Sequence, residues 1–152
     1  ILERFPEDEL AGILGHELSH IANEDLRVMG AASMMSRMVA QTGFIAVLLA
    51  FLGPLAGATH SDPVVIALVA LCATTLATWM TARLSRTREF AADQSAAALI
   101  GSPAPLARAL LRLDNYARRL TPPWLRPLMR RTLNDSHPAT AERLARLGWY
   151  AA

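Results

Sequence analysis

Residues 6–22 read PEDELAGILGHELSHIA, and the pentapeptide His16-Glu17-Leu18-Ser19-His20 inside them decides how the chain is built. The surroundings predict a helix. Pro6 suits a first helical position, Glu7, Asp8 and Glu9 crowd the positive end of the dipole, and Leu10, Ile13, Leu14, Leu18 and Ile21 recur at helical spacing. Four residues along a helix turn through about 400° and rise about 6 Å, so His16 and His20 stack on one face and both can reach a single metal ion. Glu17 lies about 100° to the side. From there it is badly placed to be a third ligand and well placed to take a proton from an attacking water. The H-E-x-x-H spacing on a helix is therefore read as a zinc-hydrolase pattern.

A catalytic zinc takes three protein ligands and keeps one position open. Glu24, four residues past His20, fails on distance, because on a straight helix it lies about 12 Å from His16. A third histidine six residues after the second also fails: Leu26 stands there, and Asn23 replaces the turn glycine that such a pattern needs. The ligand must come from another segment. The best candidate is Glu89 in SRTREFAAD (residues 85–93), where Asp93 shares its helical face at the fourth residue on. A ligating Glu and an Asp that reaches a ligand imidazole N–H form a sensible pair. Taken alone, the segment also fits a surface helix in which Glu89 and Asp93 pair with Arg86 or Arg88.

HELSHIANEDL, then SRTREFAADQSAA, then SHPATAERLARL, in this order, resemble the HtpX-like membrane zinc metalloproteases, relatives of the CAAX prenyl proteases within the gluzincin group. The resemblance runs from Leu10 to Leu147. It implies that His16, His20 and Glu89 bind Zn2+, that Glu17 is the general base and that Asp93 supports the metal site. It further implies that His137 and Arg143 lie near the active site, Arg143 as the candidate for stabilising the oxyanion and His137 as the alternative. Read without the family, the third block is a short helix capped by Ser136, with Pro138 in its first turn, Arg143 on its solvated side and its end at Gly148. The resemblance also implies two earlier spans and a small β-structure upstream of Ile1.

Between the ligand-bearing blocks lie two apolar stretches. No formally charged side chain occurs from Met38 to Ser61, nor between Asp62 and Arg83. Residues 39–59 as helix would span about 31 Å and residues 64–82 about 28 Å, against a hydrocarbon core of about 30 Å. The turn formers of 57–63 make a transmembrane hairpin of them, with Gly53-Pro54 kinking or shortening the first. Small residues recur at 3-4 spacing along both, Gly43, Ala46, Ala50, Gly53 and Gly57 in the first and Ala67, Ala70, Thr74, Ala77 and Thr81 in the second, so the two are expected to pack together. Arg27 and Arg37 precede the pair and Arg83, Arg86 and Arg88 follow it, which puts the ligand-bearing blocks on the cytoplasmic side. A buried hairpin in a soluble protein is the competing reading.

All fifteen basic residues are arginine, and nine fall between Arg108 and Arg146. Beside a membrane this points to anionic lipid, and nothing resembles a nucleic-acid module. Ser102 and Pro103 should open a helix with Leu106, Leu110, Leu113, Ala117 and Leu120 as its apolar stripe, broken by Thr121-Pro122-Pro123-Trp124. Cys72 is the lone cysteine and has no intrachain disulfide partner.

The expected fold is mostly α, with a zincin-type H-E-x-x-H helix, a transmembrane helical hairpin and C-terminal helices. The 152 residues are read as one fragment of a metalloprotease domain. The expected activity is zinc-dependent endopeptidase action on membrane or misfolded proteins, in a multi-pass bacterial inner-membrane protein whose active site faces the cytoplasm. The alternatives are a CAAX-type prenyl-peptide protease and a non-catalytic hairpin scaffold. Polypeptide substrates and membrane lipid are the expected partners, nucleic acid is not, and no oligomeric state follows from the sequence.

Overall fold

The computed structural model describes residues 5–57, 62–122 and 138–149, and every described element is helical. The elements are α1 (Glu7–Ala22), α2 (Asp25–Leu52), a 3-10 turn (Gly53–Ala56), α3 (Pro63–Ile100), α4 (Ala104–Leu120) and α5 (Thr140–Arg146). Two compact units result: residues 1–26 with 85–152, and residues 27–84.

In the first unit, α1 starts one residue later than the sequence suggests. Pro6 occupies the cap, with φ −55 and ψ 149, and its carbonyl accepts from the Leu10 N–H at 2.9 Å. The acids that follow do more than complement the dipole. Glu9 is only 3% exposed and takes a two-pronged bond from Arg112 of α4, at 2.6 and 2.9 Å. That bond raises the Arg112 pKa above its ordinary value.

The buried face of α1 is built from Glu9, Gly12, Gly15, His16 and Ser19, whereas Leu14, Leu18 and Ile21 are exposed. Small residues allow close approach. A Cβ at Gly12 would lie 2.6 Å from the Leu106 backbone nitrogen, and one at Gly15 would lie 3.1 Å from the tip of Ile100. The helical period of the leucines therefore marks the helix but not its packed side. Ala96, Leu106 and Leu110 form the core of this unit, with Leu147 packed against them.

The two C-terminal helices begin later than expected. The Ser102 hydroxyl accepts from the Ala104 N–H at 3.2 Å, and α4 starts at Ala104, after Pro103. Its stripe is buried at Leu106 and Leu110 and exposed at Leu113 and Leu120. α5 starts at Thr140, so Pro138 precedes the helix, while Ser136 and Trp124 fall outside the described residues. Gly148 closes α5 at φ 69. Of the six described arginines after residue 107, five pair with acids: Arg108 with Asp8, Arg112 with Glu9, Arg118 with Asp114, Arg143 with Asp93 and Arg146 with Glu142.

In the second unit, α2 and α3 are long and apolar enough to cross a membrane. α2 stops at Leu52, where Gly53-Pro54 turns the chain into a 3-10 segment closed by Gly57 at φ 80. A Cβ at Gly43 would lie 3.1 Å from that of Ala70, so the two helices meet along the small-residue faces. Elsewhere their large apolar side chains, such as Phe44, Leu49, Val69 and Leu71, are exposed. The threonines turn inward on their own helix: Thr75, Thr78 and Thr81 hydroxyls donate to the carbonyls of Leu71, Thr74 and Ala77. Such bonds satisfy polar groups where no water is available. Arg83 lies over the Trp79 ring, 4.9 Å from its centre.

Residues 64–100 contain neither glycine nor proline. Nothing interrupts α3, so the stretch carrying Glu89 is the continuation of the second apolar helix and not a separate helix after it.

Candidate metal centre

α1 and the end of α3 bring three side chains together. The Nε2 atoms of His16 and His20 are 3.1 Å apart, with the rings edge to face at 82°. Glu89 approaches from α3, its Oε2 3.6 Å from His16 Nε2 and its Oε1 3.8 Å from His20 Nε2. His16 and Glu89 are buried and His20 is half-buried. Among the described residues this is the one set of His, Cys, Asp and Glu groups arranged to hold a metal ion.

The donor set fits zinc. Two nitrogens bound to zinc at about 2.0–2.1 Å in tetrahedral geometry are separated by about 3.3 Å, and the three observed separations lie close to that edge. The partners of the two rings point the same way. The His20 Nδ1–H donates to Asp25 Oδ2 at 2.6 Å, and His16 Nδ1 lies 3.0 Å from Asp93 Oδ1. A carboxylate accepts only, so a neutral ring bonded this way carries its proton on Nδ1 and presents its Nε2 lone pair to the other ring. Nε2 atoms so placed, 3.1 Å apart, suit a cation between them.

Asp93 is 2% exposed and Arg143 8%. Arg143 Nε donates to Asp93 Oδ2 at 2.8 Å, a second nitrogen bonds Oδ1, and Nη1 lies 3.4 Å from Glu89 Oε2. Burial works against both charges, but the paired bonds outweigh it. The Arg143 and His16 bonds and charges hold Asp93 below the usual carboxylate range, and Asp93 and Glu89 hold Arg143 above its ordinary value. Arg143 is consequently on the inner side of α5, not the solvated one. Arg146, one turn on, lies over the Phe90 ring at 3.7 Å.

Glu17 is exposed beside this cluster, as its place on the helix requires. Glu24 stands in the break between α1 and α2, in a left-handed conformation with φ 53, and is not among the three convergent groups. His137 lies outside the described residues. Sequence reasoning missed two residues, Asp25 and Arg88. Asp25 is 5% exposed and is bonded to His20 on one side and to the Arg88 guanidinium on the other. An acid opening a helix looks ordinary in sequence, and the only available signal was its position immediately after HELSHIANE.

Comparison with known proteins shows the family. The model of peptidase family M48 matches residues 1–150. A protein named Protease HtpX homolog from Nostoc punctiforme is 34% identical, over 97% of this chain and 56% of its own length. One of the same name from Kineococcus radiotolerans is 33% identical over the same shares, and one from Acidiphilium cryptum is 41% identical over 78% of this chain and 41% of its own. The chain spans about half the length of the curated relatives it matches. No solved structure matches it. A histidine pair on one helix, an acid delivered by another, and a family match that runs from one end to the other lead to one assignment: the chain belongs to peptidase family M48, among its HtpX-like proteases.

Proposed function

We propose that this chain carries the active site of a zinc-dependent membrane endopeptidase that cleaves membrane or misfolded proteins at the cytoplasmic face. The observation that carries the reading is the triangle of His16 Nε2, His20 Nε2 and the Glu89 carboxylate, with the Glu17 carboxyl exposed beside it. When bound there, zinc supplies Lewis acidity, which acidifies water and polarises a peptide carbonyl. The remaining work falls to the protein. Glu17 removes the proton of the attacking water and delivers it to the leaving amine. Asp93 keeps the His16 ring turned toward the site, and Arg143 holds Asp93 and Glu89 in register. In this reading Arg143 also supplies the positive charge that meets the developing oxyanion.

The membrane assignment is supported by the exposure of the apolar helices among the described residues: 6% of the most apolar stretch of α2 is buried and none of that of α3. A hairpin buried in a soluble protein would show the reverse. The arginines flanking the two helices favour the cytoplasmic side. Polypeptide is the substrate class, and lipid surrounds the paired helices.

The test uses the full-length protein in detergent. Wild type should hold one zinc per chain and cleave an unfolded protein. Glu17→Gln should keep the metal and lose at least about 100-fold in kcat. Undiminished cleavage by that variant would remove Glu17 as the base, and a wild type that binds zinc but cleaves only a prenylated peptide, or nothing, would move the reading to a CAAX-type protease or a scaffold.

A further inference from the structure

Asp25 is an acid at the first turn of α2 and is only 5% exposed. A buried carboxylate is costly unless its oxygens are matched. Here each oxygen has a dedicated partner: Oδ2 takes the Nδ1–H of His20 at 2.6 Å, and Oδ1 takes the guanidinium of Arg88. Arg88 also donates to the Asn23 carbonyl, in the turn that separates α1 from α2. A carboxylate that merely complemented a helix dipole would need neither burial nor an imidazole partner.

The local backbone makes the contact possible. On an unbroken helix, residue 25 would lie about 140° around from residue 20 and could not reach it. The chain breaks at Asn23 and Glu24, with Glu24 at φ 53, and the break carries Asp25 back against the His20 ring. The consequence for His20 is specific. With its Nδ1–H held by an acceptor, the ring has one remaining nitrogen, and that nitrogen points to His16 Nε2 at 3.1 Å and to Glu89 Oε1 at 3.8 Å. Arg88 is the sequence neighbour of Glu89, so one turn of α3 both clamps this carboxylate and presents the acid of the triangle. His16, Asp93 and Arg143 form the matching chain on the other imidazole.

We propose that Asp25, braced by Arg88, is a positioning residue for His20: it fixes the tautomer and ring orientation that the metal centre needs. The inference rests on the metal-centre reading given above. It assigns no contact with substrate to either residue. It predicts that Asp25 sets metal affinity without being a ligand.

The experiment strips the full-length protein in detergent with a chelator, then titrates zinc in competition with a chromophoric chelator, for wild type, Asp25→Ala and Asp25→Asn. Asp25→Ala should bind zinc about 10–100-fold more weakly, since losing a hydrogen bond behind a ligand imidazole has effects of that size. Asp25→Asn keeps an acceptor oxygen and should recover part of the loss. Cobalt substituted into Asp25→Asn should show a shifted visible band, a readout that general loosening of the metal-free fold would not give. Unfolding of the metal-free variants is followed in parallel, and if Asp25→Ala does not fold the decision passes to Asp25→Asn. A folded variant with wild-type zinc affinity and an unshifted cobalt band would overturn the proposal. A wild type that binds no zinc would instead overturn the metal-centre reading itself, and the two failures are told apart by the wild-type titration alone.

Discussion

Arg143 is a charged side chain in a buried place, and its stability depends on Asp93 accepting two of its N–H groups. Replacing Asp93 by Asn leaves that cation with Glu89 alone as a charged partner, at a cost of up to about 3–5 kcal/mol; denaturant unfolding of the metal-free protein in detergent is the measurement. The pH dependence has a definite sign. The folded-state pKa of Asp93 is depressed, so its contribution is complete above the ordinary value of about 4 and disappears as the pH falls through the lowered one. Wild type should lose stability in that acid range, and Asp93→Asn should show a flatter curve there. At the same scale, Glu24 adopts a conformation that favours glycine, at φ 53. Glu24→Gly should therefore keep zinc affinity within a few-fold, which a Glu24 ligand would not allow. His16, Glu17 and His20 were legible because their relation is set by helix geometry within five residues, and Glu89 with Asp93 by the same rule one helix later. Asp25 was hidden because its contact needs a left-handed residue that is not glycine, and a sequence gives no warning of one.

The packing of α1 runs through glycines. A methyl group at Gly12 would meet backbone atoms of Pro105 and Leu106 at 2.6 to 2.9 Å, and backbone cannot step aside. Gly12→Ala should destabilise by about 1–3 kcal/mol despite its better helix propensity. At Gly15 the nearest atom is the mobile end of Ile100 at 3.1 Å. Gly15→Ala should be near neutral, since the gain in propensity, about 1 kcal/mol, offsets a small shift of that side chain. Thermal unfolding of the two variants side by side checks the contrast. The helices themselves were readable from periodicity and from the breaks at Gly53-Pro54 and Thr121-Pro122. Their packed faces were less so, because Leu14, Leu18 and Ile21 advertise an apolar side that the described residues leave exposed, while close approach selects small side chains that carry no hydropathy signal.

Across the whole molecule, two helices present unburied apolar surface and a third of the chain's length lies in α2 and α3 between residues 27 and 84. Cys72 sits midway along the second apolar stretch and is exposed on it. In intact membranes a charged, membrane-impermeant maleimide should leave Cys72 unlabelled, and after solubilisation and unfolding it should react fully. Labelling in the intact membrane would place the helix in water and return the soluble-hairpin reading. The boundary between apolar and ligand-bearing stretches suggested two helices, because hydropathy changes at Arg83 while the backbone does not; with no glycine or proline from residue 64 to 100, α3 runs on. That continuity bears on how the protein is made. The histidine pair leaves the ribosome first, and the acid that completes the triangle follows 69 residues behind His20, near the end of the second apolar helix. In the proposed reading the ligand set is therefore incomplete until nearly all of α3 has been synthesised, and Arg143, which braces Glu89 and Asp93, follows later still.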